Sequence, residues 1–266
     1  MAGTPDTHAP THAPPKRGTA APVLWLSGVG WSVGGAVILE DVGFDVREGE
    51  FLAFIGPNGA GKTSLFNVVS GLVQATAGRI ELDGADLTGR PAHDRARLGL
   101  GRTFQTSSLW PGMSVADHVR LAAQAAQGGS YRIWRRAAGY REEVRDALAR
   151  TGLAGRADAL AGALSHGEKR KLELAVLLVG DPRVMLLDEP MAGVSAEEVP
   201  ALTELIGALH REEGRTVLMV EHHMDVLLGL ADRVAVMHHG TLLALDDPRA
   251  VTADATVQQA YLGEAL

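Results

Sequence analysis

The chain has 266 residues, a formal net charge of −7 at pH 7 and no cysteine. Hydrophobic residues make up 46% of it and charged residues 21%, the balance of a globular protein with a sizeable core. The negative charge argues against an electrostatic nucleic-acid binder, so no nucleic-acid partner is expected. The lack of cysteine excludes disulfides and cysteine–metal sites. No apolar run reaches the roughly 18–20 residues that span a bilayer.

The first 21 residues are rich in proline, threonine and alanine, and we predict that 1–21 form a disordered tail. A signal peptide is the alternative, but its apolar core would be short and interrupted by Pro22. Short apolar runs then alternate with turn residues, which predicts strands at 23–31, 36–46 and 50–56. The third strand enters a glycine-rich loop that is followed by a helical stretch.

Residues 22–266 are expected to form one α/β domain with a helical subdomain at about 91–163. A hairpin is predicted at 78–87, and the segment after it has a mostly helical pattern, including residues 115–127 and 140–151. Arginines make this segment locally basic. Such a pattern is typical of a solvated helix face, or of a face near membrane headgroups or a partner.

After the helical segment the chain returns to alternating strands and helices. Near-continuous apolar runs at 183–189 and 216–222 predict parallel strands buried on both faces, with a helix at 197–213 between them. Two short strands around Gly240 and a short helix at 255–266 complete the pattern.

A phosphate-binding loop is predicted where the third strand meets the following helix. The stretch GPNGAGKTS matches G-x-x-x-x-G-K-[ST] and has the strand–loop–helix context that the motif requires. Glycines let the backbone approach a phosphate closely, and the positive end of the helix attracts it. Lys62 is expected to reach the β- and γ-phosphates of a nucleotide, and Thr63 to offer its hydroxyl to Mg²⁺. The predicted nucleotide-binding residues of this loop are Gly56, Pro57, Asn58, Gly59, Ala60, Gly61, Lys62, Thr63 and Ser64.

An acidic pair, Asp188 and Glu189, ends the apolar run at 183–189. Ligands of open α/β sheets bind at the carboxyl ends of strands, so both side chains are expected near the phosphate loop. Asp188 suits the coordination shell of Mg²⁺, and Glu189 suits a base that polarises the attacking water. The pair alone is also typical of an acidic turn at a helix N-terminus. The phosphate loop earlier in the chain favours the nucleotide interpretation.

The stretch LSHGE contains residue types of a hydrolase triad, namely Ser165, His166 and Glu168. A serine nucleophile would be expected in a G-x-S-x-G elbow between a strand and a helix. Ser165 instead lies between Leu164 and His166. We therefore favour a helix N-cap over a nucleophile.

Taken in order, the phosphate loop, LSHGE, VMLLDEP and VEHH resemble the motifs of ATP-binding-cassette (ABC) ATPases, from about Val23 to the C-terminus. The resemblance implies a P-loop NTPase (RecA-like) core with an antiparallel β subdomain and an inserted α-helical subdomain. LSHGE resembles the family signature Leu-Ser-Gly-Gly-Gln, with His166 in place of its first glycine. Ser165, Gly167 and Glu168 would then contact the ATP held by a second ABC ATPase subunit.

The resemblance also implies catalytic roles for Gln105 and His222 beside Glu189. Gln105 matches the glutamine loop and would sense Mg²⁺ and the γ-phosphate, while His222 matches the switch histidine that contacts the γ-phosphate. Val33 falls at the position of an adenine-stacking aromatic residue, and Ser195 falls where many members have an aspartate. The implied cofactors are ATP and Mg²⁺, and the implied metal site consists of Thr63, Gln105 and Asp188.

Within the family, the stretches RTFQTSSLWPGMSVADHV, LSHGE and AYLGEAL resemble the branched-chain amino acid importer ATPases. Urea or short-amide importers and lipopolysaccharide-export ATPases are the alternatives. Further alternatives are a soluble non-transport ABC ATPase and a module that holds ATP without hydrolysing it. The resemblance implies an ATPase at the cytoplasmic face of the cell membrane, paired as a homo- or heterodimer. It would bind transmembrane permease subunits and act indirectly with an extracytoplasmic solute-binding protein.

Overall fold

Strands and helices alternate through most of the chain. The computed structural model describes residues 22–104, 109–126 and 140–262, so the predicted tail and Gln105 lie outside the described residues. The strands are β1 (Leu24–Val33), β2 (Ala36–Val46), β3 (Phe51–Ile55), β4 (Ala77–Leu82), β5 (Ala85–Asp86), β6 (Leu100–Arg102), β7 (Val184–Asp188), β8 (Thr216–Val220), β9 (Arg233–His238) and β10 (Thr241–Asp246). The helices are α1 (Lys62–Ser70), α2 (Ala92–Arg97), α3 (Val115–Ala126), α4 (Arg141–Arg150), α5 (His166–Leu178), α6 (Val199–Arg211), α7 (Met224–Leu230), α8 (Pro248–Ala253) and α9 (Ala255–Leu262).

The topology of the larger sheet determines where the candidate site lies. Within the described residues it has six strands in the order β10-β9-β3-β8-β7-β6, and all neighbours are parallel except β10 with β9. Strands β3, β7 and β8 are buried along their whole length. This confirms the burial predicted for β7 and β8 from their near-continuous apolar sequences, whereas β3 was predicted only as a strand. Because these strands are parallel and adjacent, the segments that follow them meet at one edge of the sheet.

A smaller antiparallel sheet, in the order β2-β1-β4-β5 among the described strands, packs on one face of the larger one. The core between the two sheets and α1 is apolar and includes aromatic contacts. The ring of Phe54 on β3 lies 5.4 Å from that of Phe44 on β2 and 5.6 Å from that of Phe66 on α1, both edge to face. The P-loop core with an antiparallel β subdomain is thereby confirmed.

The opposite face of the larger sheet is covered by helices. Leu174 of α5, Leu202 and Ile206 of α6 and Leu227 of α7 pack against it in a second buried cluster. A third cluster joins α3, α4 and α5 and forms the helical part of the chain. Helix α5 contributes to both clusters, so it connects the sheet to the helical part.

One strand was missed by the sequence analysis. The segment from residue 91 was predicted to be mostly helical, but β6 lies in it and pairs in parallel with β7. A strand of three residues with glycine at its centre carries no periodic pattern, so it could not be recognised. The assignment of residues at about 91–163 to a helical subdomain stays a prediction.

The other predicted strands and helices agree with the structure to within two residues at each described end. In the part of the chain that the structure describes, no helix combines the length and the hydropathy needed to cross a bilayer.

Candidate nucleotide site

Two glycines shape the loop between β3 and α1. Gly56 has a φ of 146°, and a β-carbon there would lie 2.2 Å from the carbonyl oxygen of Met237 on β9. Gly61 has a φ of 98° and packs against the α-carbon of Gly240 and the carbonyl oxygen of Ile38. A side chain at either position would push the loop off its neighbours. The loop is therefore fixed against β9 and β2, and it sets the N-terminus of α1 at the carboxyl edge of the sheet.

The Lys62 ammonium lies within this loop and is only 6% exposed. Its Nζ donates to the carbonyl oxygens of Gly56, at 2.5 Å, and Pro57, at 2.9 Å. Burial lowers the pKa of Lys62, while the nearby carboxylates of Glu189 and Asp188 counteract part of that effect. The loop thus holds a buried cation close to the acidic pair, an arrangement that suits an anionic ligand.

Thr63 and Asp188 lie together, as the sequence predicted. Thr63 Oγ1 donates to Asp188 Oδ1 at 3.4 Å, and the other oxygen of Asp188 accepts from Arg102 Nη2 at 2.9 Å. Burial raises the pKa of Asp188, and the Arg102 guanidinium opposes that shift. A hydroxyl and a carboxylate oxygen are hard ligands of the kind that Mg²⁺ takes, so this pair fits the predicted metal site. Gln105, its third predicted member, lies outside the described residues.

Arg102 is a site residue that the sequence analysis missed. It lies on β6, and besides its ion pair with Asp188 it donates from Nη1 to Ser70 Oγ at 2.8 Å. Its side chain is 6% exposed. It thereby links the acidic pair on β7 to the last residue of α1. The available sequence signal was an arginine three positions before Gln105. Because β6 was not recognised, this arginine could not be located in the fold.

Glu189 and His222 face each other at the ends of β7 and β8. His222 Nε2 lies 3.1 Å from Glu189 Oε1, and the amide of Glu189 donates to the carbonyl of Val220 at 2.9 Å. Glu189 has a φ of 50°, which is uncommon for a residue other than glycine. The two predicted catalytic groups are therefore adjacent and partly open to solvent.

A second missed residue, Glu221, joins the loops that carry these two groups. Its side chain is 2% exposed. Its Oε1 accepts from the amide of Met191 at 2.7 Å, and its Oε2 accepts from the amide of His222 at 2.9 Å and lies 3.1 Å from His223 Nδ1. One buried carboxylate thus holds the segment after β7 to the segment after β8. Its position next to two histidines at a strand end was the signal that could have found it.

Ser165 begins α5 with a reciprocal capping box. Ser165 Oγ accepts from the amide of Glu168 at 3.1 Å, and Glu168 Oε2 accepts from the amide of Ser165 at 3.0 Å. The predicted N-cap is confirmed. The hydroxyl of Ser165 also donates to Glu198 Oε1 at 2.6 Å, and the amide of Gly167 donates to Glu198 Oε2 at 3.4 Å. The tip of α5 therefore presents a hydroxyl and an amide, both in contact with one carboxylate.

Arg170 ties α5 to the rest of the site one turn further along. Its Nη1 donates to the carbonyl of Phe104 at 3.1 Å, next to Gln105, and its Nη2 donates to the carbonyl of Ala192 at 3.2 Å, three residues after Glu189. A displacement of α5 would therefore disturb the hydrogen bonds at both segments.

The predicted residues divide into two groups. The phosphate loop, Asp188, Glu189 and His222 converge at one edge of the sheet. The signature residues lie elsewhere: among the hydrogen bonds of the described residues, none joins Ser165, Gly167 or Glu168 to the phosphate loop. Val33 ends β1, pairs with Ala36 across the turn and is 55% exposed.

Comparison with known proteins agrees with this geometry. The family described as ABC transporter matches residues 39–192. A probable ABC transporter ATP-binding protein of Azorhizobium caulinodans is 39% identical over 92% of this chain and 85% of its own length. The high-affinity branched-chain amino acid transport ATP-binding protein LivG of Salmonella typhimurium is 36% identical over 92% of this chain and 99% of its own. The lipopolysaccharide export system ATP-binding protein LptB of Acidithiobacillus ferridurans is 36% identical over 86% of this chain and 91% of its own.

A solved structure of a nucleotide-free ATP-binding cassette from an ABC transporter superposes with a TM-score of 0.79 at 28% identity, covering 91% of this chain and all of that one. The phosphate loop, the acidic strand end and the capped helix of this chain are therefore parts of one known architecture. The chain belongs to the ABC transporter family and is one of its ATP-binding subunits, an ATPase that uses ATP and Mg²⁺.

Proposed function

We propose that this ATPase energises the import of branched-chain amino acids through a membrane transporter. The observation that carries this proposal is the end-to-end similarity to LivG, whose name states that it serves branched-chain amino acid transport. The similarity extends over the helical part of the chain, which is outside the residues that hold the nucleotide.

Different residues of this chain bind the phosphates, hold Mg²⁺ and activate the attacking water. The loop amides and Lys62 bind the phosphates, and the Lys62 ammonium exchanges its two carbonyl partners for phosphate oxygens. Thr63 and Asp188 hold Mg²⁺, which when bound neutralises charge on the phosphates. Glu189 orients and deprotonates the attacking water. His222, hydrogen-bonded to Glu189, fixes the carboxylate and contacts the γ-phosphate.

The nucleotide site is completed by a second subunit. Among the described residues no hydrogen bond joins Ser165, Gly167 or Glu168 to this chain's own phosphate loop. Together with the family signature that these residues resemble, this supports a role at the ATP of a partner, a second copy of this chain or a related ATPase. Val33 packs against the adenine as an aliphatic contact, and its exposed position on β1 supports that role. Gln105 senses Mg²⁺ and the γ-phosphate.

A permease would dock where the helical part meets the sheet. A groove of about 280 Å³ there is lined by Phe104, Trp110 and Leu121, which are 42%, 56% and 43% exposed, together with Leu109 and Val176. Such an exposed apolar surface supports a protein partner. The chain would then act at the cytoplasmic face of the cell membrane, with the solute-binding protein engaged only through the permease.

The test is ATP turnover by the assembled transporter. The full chain is co-purified with candidate permease subunits and a candidate solute-binding protein chosen from the genes that neighbour its own, and the complex is placed in lipid nanodiscs. Leucine, isoleucine or valine is expected to raise ATP turnover several-fold through the binding protein, whereas urea and acetamide are not. Glu189→Gln in the same complex is the control and should remove turnover by at least about a hundredfold. Stimulation by urea or acetamide alone would overturn the assignment.

Lipopolysaccharide export is the second candidate, because LptB matches this chain at the same identity as LivG. The same assay separates the two functions. An exporter would show no response to amino acids and would assemble without any solute-binding protein.

A further inference from the structure

We propose that the Glu198 carboxylate occupies the position of a γ-phosphate at the tip of α5. This carboxylate must leave before the ATP of a second subunit can bind there. This inference rests on the proposed function, in which Ser165 and the Gly167 amide receive that phosphate across the subunit interface.

Three donors converge on the Glu198 carboxylate. The hydroxyl of Ser165 lies 2.6 Å from Oε1, while the amide of Gly167 and the hydroxyl of Ser195 lie 3.4 Å and 3.2 Å from Oε2. The donors come from two segments that are remote in sequence, the start of α5 and the turn before α6. Short hydrogen bonds from neutral donors to an ionised oxygen are the means by which proteins bind oxyanions.

The carboxylate fills the space beside the signature backbone. A β-carbon on Gly167 would lie 2.8 Å from both Cδ and Oε1 of Glu198. A γ-phosphate bound to Ser165 and the Gly167 amide would need that same space. The carboxylate and the phosphate therefore exclude each other sterically as well as by charge.

Glu198 is charged when it occupies this position. The hydrogen bond from Ser165 lowers its pKa, and those from Ser195 and the Gly167 amide act in the same direction. Serine at 195 supports the arrangement, because it donates a hydrogen bond. An aspartate at 195 would instead place a second negative charge against Glu198.

Competition between the Glu198 carboxylate and the γ-phosphate sets the ATP concentration at which two subunits form the closed dimer. An ATP-loaded subunit brings a γ-phosphate with more charge and more oxygens than a carboxylate, so it displaces Glu198, whereas an ADP-loaded subunit brings none. After hydrolysis the carboxylate returns and favours separation. Glu198 thereby shifts the equilibrium between closed and open pairs, because it binds only the open form.

The test uses the full-length chain with Glu189→Gln, which blocks hydrolysis, and measures the ATP concentration for half-maximal dimer formation by analytical ultracentrifugation. Glu198→Ala and Glu198→Gln are expected to lower that concentration by up to about fivefold, because one exposed charged contact is worth up to about fivefold in an equilibrium constant, and a dimer that binds two ATP molecules loses two such contacts. Glu197→Ala is the matched control. It removes the same charge one residue away, at an exposed side chain that has no hydrogen bond or ion pair with α5 in the described part of the chain, and should leave the midpoint unchanged.

The outcomes separate this inference from the proposed function. If Glu189→Gln alone stays monomeric at saturating ATP, a second copy of this chain is not the partner. Competition between Glu198 and the phosphate of a second copy is then overturned, while the proposed function stands with a related ATPase as the partner. If Glu189→Gln forms dimers and the Glu198 variants need as much ATP or more, only the inference is overturned, and Glu198 then merely orients Ser165. A second readout on the nucleotide-free chain is the ¹⁵N resonance of the Gly167 amide. It should shift on acid titration in the wild type and not in Glu198→Gln, and no shift in the wild type would overturn the contact itself.

Discussion

The phosphate-loop half and the signature half of the proposed ATP site are built in different ways. The side chains of Lys62, Arg102 and Asp188 are almost fully buried; Lys62 hydrogen-bonds to the loop, and Arg102 pairs with Asp188. Ser165 and Glu198 lie at the surface, where a helix tip meets a turn. The buried half is fixed by the core and depends on folding. The surface half can exchange one anion for another without unfolding, which suits a partner that binds and leaves.

The largest expected effect on the free energy of unfolding comes from Arg95, which holds the end of α1, the helix that begins at the phosphate loop. Arg95 is fully buried and donates to the carbonyls of Val68 and Val69 at the end of α1, and to those of Thr88 and Arg90. Arg95→Met would leave four carbonyls without these donors, so we expect the free energy of unfolding to fall by about 4 kcal/mol. Urea denaturation measures it.

Arg97→Met is the matched control for Arg95→Met, because Arg97 lies on the same helix, is 61% exposed and forms an exposed ion pair with Asp94. We expect it to change the free energy of unfolding by less than about 0.5 kcal/mol. Equal losses in the two variants would contradict the assigned role of Arg95.

The next effect concerns the ion pair inside the buried half. Arg102→Met leaves the Asp188 carboxylate without its cation, and we expect a loss of about 3 kcal/mol at about pH 8. Burial raises the pKa of Asp188 and the Arg102 guanidinium opposes that shift, so removing Arg102 raises this pKa further in the folded variant. A folded-state pKa above the unfolded value favours folding at low pH, and this contribution is lost as the pH rises through the folded-state pKa. The loss should therefore be smaller at about pH 5. Denaturation curves of the nucleotide-free protein at the two pH values test this, and a pH-independent loss would contradict it.

The smallest effect on stability is expected in the surface half. Ser165→Ala removes the N-cap of α5 and should lower the free energy of unfolding by about 1 kcal/mol. Binding of a fluorescent ATP analogue to the monomer should not change, because no hydrogen bond among the described residues joins Ser165 to the phosphate loop. ATP-driven dimer formation should be lost.

Asp247→Ala provides the control for Ser165→Ala. Asp247 caps α8 by accepting from the amides of Arg249 and Ala250. Its removal should cost a similar amount of stability and leave dimer formation intact. Loss of dimers in both variants would mean that helix stability, and not the Ser165 hydroxyl, decides the result.

The features predicted correctly from sequence are those whose interactions are local. The phosphate loop is one continuous stretch, the acidic pair ends one apolar strand, and the capping box joins Ser165 to Glu168 three residues later. The missed features depend on distant partners. Arg102 bonds to Asp188, 86 positions away, Glu221 to Met191, 30 positions away, and Glu198 to Ser165, 33 positions away.

The sequence by itself determined the fold class, the nucleotide and the order of the motifs, because strand periodicity, glycine-dependent backbone turns and helix caps are all encoded within a few neighbouring residues. Only the tertiary structure decided which charges neutralise one another. The parallel order of β6, β7 and β8 brings Arg102 to Asp188 and Glu221 to the loop after Glu189, and the packing of α5 beside the turn before α6 places a carboxylate on the signature serine. Such pairings arise from chain topology, since no short stretch of sequence specifies which strand or helix becomes its neighbour.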